Sequence, residues 1–80
     1  MRKQFQPYSK WIGEWSGRGT TKKDVVVITR LVIRSRMADQ ALEFSVESTD
    51  AESHKLVHGV IGLLAVDPDD QLRMCVFSTL

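Results

Sequence analysis

The feature that most constrains the fold of this chain is a segment that is apolar on both of its faces. The stretch Leu56–Val66 contains no Asp, Glu, Lys or Arg, and hydrophobic side chains stand at both odd and even positions along it. A β-strand with two apolar faces needs cover on both sides. A chain of 80 residues has room for one domain with a modest core, so that cover is difficult to supply from within.

The rest of the chain also has the pattern of β-structure. Residues 42–46 alternate apolar and polar side chains, which indicates a half-buried strand. Residues 25–33 are rich in β-branched side chains, which favour a strand over a helix. Residues 12–20 and 72–80 are two further candidate strands. The sequence Asp-Pro-Asp-Asp at 67–70 predicts a tight turn in front of the last one, with the aspartate side chains capping its amides.

The first residues differ from the rest because Phe5, Tyr8 and Trp11 recur at a spacing of three, which is typical of a short helix. We therefore predict a single all-β domain over residues 1–80: an antiparallel up-and-down meander of about five strands, preceded by a short helix. About eight strands are needed to close such a barrel around a ligand. We expect the chain to be either the N-terminal half of a larger barrel or one half of a dimeric barrel.

Composition narrows the class of protein. There are 11 basic and 10 acidic residues, and this balance argues against nucleic acid as a partner. No apolar run approaches the roughly 18 residues of a membrane span, and no apolar segment of a signal peptide follows the N-terminal charges. The single cysteine, Cys75, excludes an internal disulfide and is typical of a reducing compartment. These features predict a cytoplasmic protein without a membrane partner.

The sharpest local motif has the form G-x-W-x-G-x-G, and it covers residues 13–19. In a strand, alternate side chains share a face, so Gly13, Trp15, Gly17 and Gly19 stand on the same one. Three missing side chains beside one large indole permit a bent strand and a close approach of neighbouring backbone. We expect the indole to close one end of a barrel.

This motif resembles the opening of the nitrobindin family, which comprises haem-binding members of the calycin and fatty-acid-binding-protein-like β-barrels, and that of related lipocalin-like bacterial domains. The order of the later segments is similar too: an alternating strand at 41–46, a polar loop, and a second strand over 58–64 that begins with His58. The resemblance implies the N-terminal half of a calycin-like barrel. It also implies haem as a cofactor, but the family's axial histidine lies in a second half that has no counterpart here. The residues themselves therefore predict no cofactor, and haem stays a candidate through the resemblance alone.

The leading functional hypothesis is a non-enzymatic domain that binds a small hydrophobic or amphipathic ligand. Its predicted cavity wall consists of Trp15, Ile28, Leu42, Phe44, His58, Val60, Leu64 and Met74. Arg30 and Arg34 are candidates for pairing with a polar group of the ligand. No catalytic residue and no metal site is predicted, because the sequence has neither a nucleophile motif nor a set of zinc ligands.

Two alternative functions remain open at this point. One is a haem-binding protein of the nitrobindin type, which is implied by the resemblance alone. The other is a small nucleic-acid-binding barrel of the OB type, which the length and the strand count favour. For the partner, we expect a second copy of the chain or the missing C-terminal half, in addition to the small ligand.

Overall fold

A computed structural model describes residues 3–79 as one antiparallel sheet with a short helix in front of it. A 3₁₀-helix spans Lys3–Trp11 and is followed by five strands. The strands are β1 (Gly13–Thr20), β2 (Val26–Arg36), β3 (Ala41–Asp50), β4 (Leu56–Val66) and β5 (Leu72–Ser78). Each strand pairs with the next in the chain, so the sheet is a meander with the order β1-β2-β3-β4-β5. This confirms the predicted all-β meander of five strands preceded by a short helix.

The predicted strand limits agree with the structure most closely where the local pattern is strongest. The apolar segment forms β4 with the predicted limits, Leu56–Val66. The alternating segment at 42–46 lies in the first part of a longer strand, β3, whose pairing with β2 continues to Asp50. The last strand, predicted for 72–80, ends at Ser78, and Leu80 lies outside the described residues.

The N-terminal helix has the tighter 3₁₀ form and contains Pro7. Proline has no backbone N–H and its ring clashes with the carbonyl four residues earlier, so an α-helical ladder cannot pass through this position. The Ser9 hydroxyl donates a hydrogen bond to the Gln6 carbonyl oxygen at 2.9 Å, and the Ile12 N–H donates to the Ser9 carbonyl oxygen at 3.3 Å. Local bonds of this kind hold the segment in a helix although its sequence opposes a regular one.

The turn between β4 and β5 has the predicted side-chain capping. Oδ1 of Asp67 accepts hydrogen bonds from the N–H groups of Asp69 and Gln71, both at 2.9 Å. Oδ2 of the same carboxylate accepts one from Arg73 Nε at 2.8 Å. One aspartate therefore satisfies the turn and ties it to the first part of β5.

The strand register divides the side chains between two faces of the sheet. Trp15 of β1 lies opposite Leu31 of β2, Leu31 lies opposite Val46 of β3, and Val46 lies opposite Val60 of β4. We call the face that carries this row the inner face, because the N-terminal helix packs on it. The opposite, outer face carries the arginines of β2 and the glutamates of β1 and β3.

The sheet does not close into a barrel, and β1 and β5 are its two edges. The buried hydrophobic core of the described residues is small and consists of Phe5, Val27, Ala41 and Leu42. Within residues 3–79, no helix is long and apolar enough to cross a membrane.

Candidate ligand-binding site

The candidate site is an apolar groove between the N-terminal helix and the inner face of the sheet. Phe5 anchors the helix, and its side chain is completely buried. One turn and two turns later, Tyr8 and Trp11 lie against the inner face but remain 42% and 53% exposed. The groove is thus walled by aromatic rings that are in contact with the sheet and still accessible to a ligand.

The groove consists of two adjoining pockets. The first has a volume of about 280 Å³, and its lining residues are Tyr8, Trp11, Leu31, Ile33, Leu42, Phe44 and Leu64. The second has a volume of about 390 Å³, and its lining residues are Lys10, Trp11, Trp15, Leu31 and Ile33. Because Trp11, Leu31 and Ile33 line both pockets, the two are parts of one groove. Cavities of about 300–1,000 Å³ are the usual size for small-molecule sites.

The side chain of Phe44 forms the floor of the groove because it lies over a glycine. Gly62 of β4 stands directly opposite Phe44 of β3, and a Cβ atom at Gly62 would overlap the carbons of the Phe44 ring. The ring therefore occupies the space that a side chain at residue 62 would fill. This packing keeps the floor flat and apolar.

Lys10 is the charged side chain that lines the groove, at the end of the pocket that holds Trp15. The other lining side chains of the two pockets are apolar or aromatic. An apolar groove lined by one ammonium group is complementary to a ligand that has an apolar body and a single anionic group.

The structure brings together four of the predicted cavity residues: Trp15, Leu42, Phe44 and Leu64 all line the groove. Three others, His58, Val60 and Met74, share the inner face but lie outside its two pockets. Ile28 is on the other side of the sheet, because it stands opposite Arg18 and Thr49 on the outer face. The placement of Ile28 in the same wall as Trp15 is therefore corrected.

Arg30 and Arg34 also lie on the outer face, away from the groove that they were predicted to serve. Arg30 is hydrogen-bonded to the Glu14 carboxylate, and an Arg34 nitrogen is 3.9 Å from the same carboxylate. Arg36 forms a similar pair with Glu43 at 3.3 Å. These arginines form exposed ion pairs between neighbouring strands, so they are not placed to contact a ligand on the inner face.

The structure does not show the close approach of neighbouring backbone that was expected along the whole glycine-rich motif of β1. A Cβ atom would meet nothing within 4 Å at Gly17 or Gly19, so no backbone or side chain approaches them closely. Gly13 is different, because its φ of 147° is one that residues with a side chain rarely adopt. The Trp15 ring also lies 3.6 Å from the Cβ position of Gly13. Only the first glycine of the motif is thus required by the local geometry.

His58 does not fit the role of an axial ligand to haem in this groove. It lies on the inner face opposite Ser48, and its Nε2 is 3.2 Å from the hydroxyl of Ser78. Ser48 is four residues along β3 from Phe44, which corresponds to about 13 Å. No histidine, cysteine or methionine lines the two pockets. The groove therefore contains no histidine that could ligate haem.

The remaining ionisable side chains show no arrangement typical of a metal site. Within residues 3–79, no group of three or more His, Cys, Asp or Glu side chains could hold a metal ion. His54 is exposed in the turn between β3 and β4, where it has a positive φ of 62°.

Comparisons with known proteins add no assignment. No protein-family model, no curated protein and no solved structure matches this chain.

The sequence did not point to Leu31, Ile33 and Lys10 as residues of the site. Leu31 and Ile33 were missed because β2 is apolar at both odd and even positions. A usable signal was present: Arg30, Arg34 and Arg36 all have even numbers. Because charged side chains favour the solvated face, the odd positions of this strand are the ones expected to face the helix.

Proposed function

We propose that this chain is a non-enzymatic binding domain for a small amphipathic molecule that has an apolar body and one anionic group. The observation that carries the proposal is the groove itself, where accessible rings of Tyr8, Trp11 and Trp15 line an apolar channel next to Lys10. Exposed apolar side chains gathered in a recess are characteristic of ligand sites. The resemblance of the sequence to calycin-like barrels supports the same class of function.

The ligand is expected to lie along the inner face with its anionic group towards Lys10. Burial of its apolar body against Trp11 and Leu31 supplies most of the affinity, since the hydrophobic effect scales with the apolar area removed from water. The ammonium of Lys10 adds a smaller term, because ion pairs at exposed sites contribute about 0.2–1 kcal/mol.

Isothermal titration calorimetry with decanoate and with decanol tests this proposal. The Trp11→Ala variant should bind both molecules at least about tenfold more weakly, because it removes the wall shared by the two pockets. Lys10→Gln should weaken the binding of decanoate about two- to fivefold and leave that of decanol unchanged. Ile61→Ala, on the outer face and 49% exposed, is the matched control and should change neither affinity.

Two results would contradict the proposal. The first is the absence of heat for either molecule at concentrations where the parent protein is folded by circular dichroism. The second is an equal loss of affinity in the Trp11→Ala and Ile61→Ala variants. Because Ile61 lies outside the groove, such a result would show that the loss does not come from removing a wall of the groove.

A further inference from the structure

We propose that a second copy of this chain pairs with the open edge of the sheet, strand β5 against strand β5, in antiparallel orientation and centred on Cys75. The pairing would join two five-stranded sheets into one sheet of about ten strands. This inference concerns the edge of the sheet and does not depend on the ligand proposed above.

The chain exposes more surface than a folded monomer of its size normally does. Its accessible surface is 6088 Å², whereas about 4,900 Å² is expected for a compact protein of 9.1 kDa. The excess of about 1,200 Å² exceeds the roughly 800 Å² that each partner buries in an interface of standard size. The radius of gyration of 14.9 Å is likewise larger than the value of about 12 Å expected for 80 residues. The chain as a whole therefore exposes more surface than an interface of standard size would bury.

Much of the exposed apolar surface lies beside β5 and on both faces of the sheet. Met74 and Val76 are 64% and 52% exposed on the inner face, and Phe77 is 69% exposed on the outer face. Ile61 and Leu63 of the neighbouring strand continue the outer patch, in which they line a shallow recess with Cys75 and Phe77. A partner strand added to this edge would cover side chains on both faces at once.

The edge also has few of the features that prevent strands from pairing. Native edge strands are usually protected by proline, lysine, a bulge or short length. β5 has seven residues, Leu72–Ser78, without a proline or a lysine, and its register with β4 is regular. Its one charged residue, Arg73, is bound to Asp67 of its own chain.

The hydrogen bonds of the structure show which backbone groups of β5 are available to a partner. The Thr79 N–H donates to the Gly59 carbonyl oxygen, and the Asp67 N–H donates to the Gln71 carbonyl oxygen, both at 2.9 Å. Odd-numbered residues of β5 therefore direct their backbone groups to β4. Because the direction alternates along a strand, Met74 and Val76 direct theirs to the open side.

The direction of the strands determines which pairing of edges is antiparallel when a second copy meets β5. A meander of five strands has β1 and β5 running the same way. If a two-fold axis parallel to the strands brought β1 of the partner to β5, the new contact would be parallel, and parallel pairs are slightly less stable. A two-fold axis perpendicular to the plane of the sheet instead pairs β5 with β5 and makes an antiparallel contact. Only the second arrangement continues the existing ladder.

Full overlap of two copies of Leu72–Ser78 sets the register. Cys75, the middle residue, then faces the partner's Cys75, and Met74 faces the partner's Val76, so that the outward backbone groups of these two residues exchange hydrogen bonds. Arg73 faces the partner's Phe77, a cation beside an aromatic ring. No like charges are opposed in this register.

Cysteine cross-linking tests both the dimer and its register. In an antiparallel pair, residues opposite each other at a position without hydrogen bonds have Cα atoms about 4.5 Å apart, which is within the range of a disulfide. The two Cys75 residues should therefore be linked rapidly by copper–phenanthroline. The matched control is Leu72→Cys in a Cys75→Ser background, because the two copies of residue 72 would lie about 20 Å apart along the strands. We expect it to cross-link at least about tenfold more slowly.

Sedimentation equilibrium under reducing conditions measures the mass independently of the thiols. The parent chain and the Cys75→Ser variant should both have twice the mass of one chain. A single-chain mass at every concentration would overturn the proposal and leave the edge for another occupant, such as a further segment of a longer protein. Larger polymers, or equal cross-linking rates at residues 72 and 75, would overturn it as well.

Discussion

Gly62 is the residue at which the absence of a side chain matters most to the inner face. The Phe44 ring covers it so closely that a Cβ atom would overlap the ring carbons. Gly17 stands on the same face of the sheet but has open space at its Cβ position. Two glycines in strands of one sheet are thus expected to respond in opposite ways to the same substitution.

We predict that Gly62→Ala lowers the free energy of unfolding by about 1–3 kcal/mol, because the methyl group displaces Phe44 from its place in the groove. Gly17→Ala is the matched control and should be neutral or stabilising by up to about 1 kcal/mol, since alanine loses less conformational freedom on folding. Urea denaturation followed by tryptophan fluorescence measures both values. An equal loss of stability in the two variants would contradict the packing of Phe44 over Gly62.

Asp67 links the stability of the last hairpin to pH. The hydrogen bond from the Arg73 guanidinium, and next that from the Gln71 N–H, lower the pKa of the Asp67 carboxyl below its ordinary value. Asp50, at the end of β3, has a lowered pKa for a similar reason: its carboxylate accepts hydrogen bonds from the backbone N–H groups of Ser53 and then Glu52 in the following turn. A carboxyl whose pKa is lower in the folded state contributes stability above its unfolded pKa, and this contribution is lost as the pH falls through the folded value.

We therefore predict that Asp67→Asn is less stable than the parent at neutral pH and that this difference shrinks below about pH 3.9, the ordinary aspartate pKa. Thermal unfolding at a series of pH values measures the difference. Asp69→Asn, in the same turn, is the control and should remain close to the parent throughout. A gap between the parent and Asp67→Asn that stays constant down to about pH 2 would show that the Asp67 carboxylate does not stabilise the turn.

Among the elements, the hairpin between β2 and β3 has the most strained backbone. Met37, Ala38 and Asp39 have φ values of 55°, 52° and 66°, so three successive residues with side chains are left-handed. Each such residue costs about 1–2 kcal/mol relative to its right-handed form. The Gln40 N–H bond to the Met37 carbonyl oxygen at 3.1 Å, together with the Ser35–Asp39 side-chain bond, partly offsets this cost.

We expect Ala38→Gly to raise the free energy of unfolding by roughly 1 kcal/mol, because glycine adopts a positive φ without steric conflict, although it also gives the unfolded chain more freedom. Ala51→Gly is the comparison, since Ala51 lies in the next turn and does not have a positive φ. That variant should lose about 0.5–1 kcal/mol. Chemical denaturation measures the free energy of unfolding of both variants. A loss of stability in Ala38→Gly would contradict the left-handed turn.

At the scale of the whole molecule, the open sheet makes stability depend on protein concentration. If folding and pairing through β5 are coupled, tenfold dilution should lower the apparent stability by about 1.4 kcal/mol per mole of dimer. The Val76→Pro variant should lose this dependence, because proline removes an N–H that points to the open edge and takes part in no bond to β4.

Thermal unfolding at several concentrations, monitored by circular dichroism, measures the effect. A second variant, Met74→Lys, places a charge on the edge without any change to the backbone and should behave like Val76→Pro. An unfolding midpoint that rises with concentration equally in the parent and in both variants would mean that the chains associate through another surface.

Local sequence patterns were sufficient to predict the elements of this protein. The two-sided apolar segment became β4 with its predicted limits, Leu56–Val66. The spacing of Phe5, Tyr8 and Trp11 predicted the helix. The sequence Asp-Pro-Asp-Asp at 67–70 predicted the turn between β4 and β5, which the Asp67 side chain caps. Each of these signals depends on residues close together in the chain, namely side-chain alternation, aromatic spacing and an aspartate before a proline. Because these signals are local, they can be interpreted without knowing how distant parts of the chain pack.

The sequence by itself did not determine which face of the sheet the helix covers. Alternation separates the side chains of a strand into two sets, but in β2 both sets contain apolar residues, so the pattern does not indicate which set is covered. Strand pairing places Leu31 and Ile33 beside Trp15, and Ile28 and Arg30 on the other side. Tyr8 and Trp11 of the helix lie beside Leu31 and Ile33 of the first of these faces and so create the groove. Such contacts join residues far apart in the chain, so only the tertiary structure decided where the site lies.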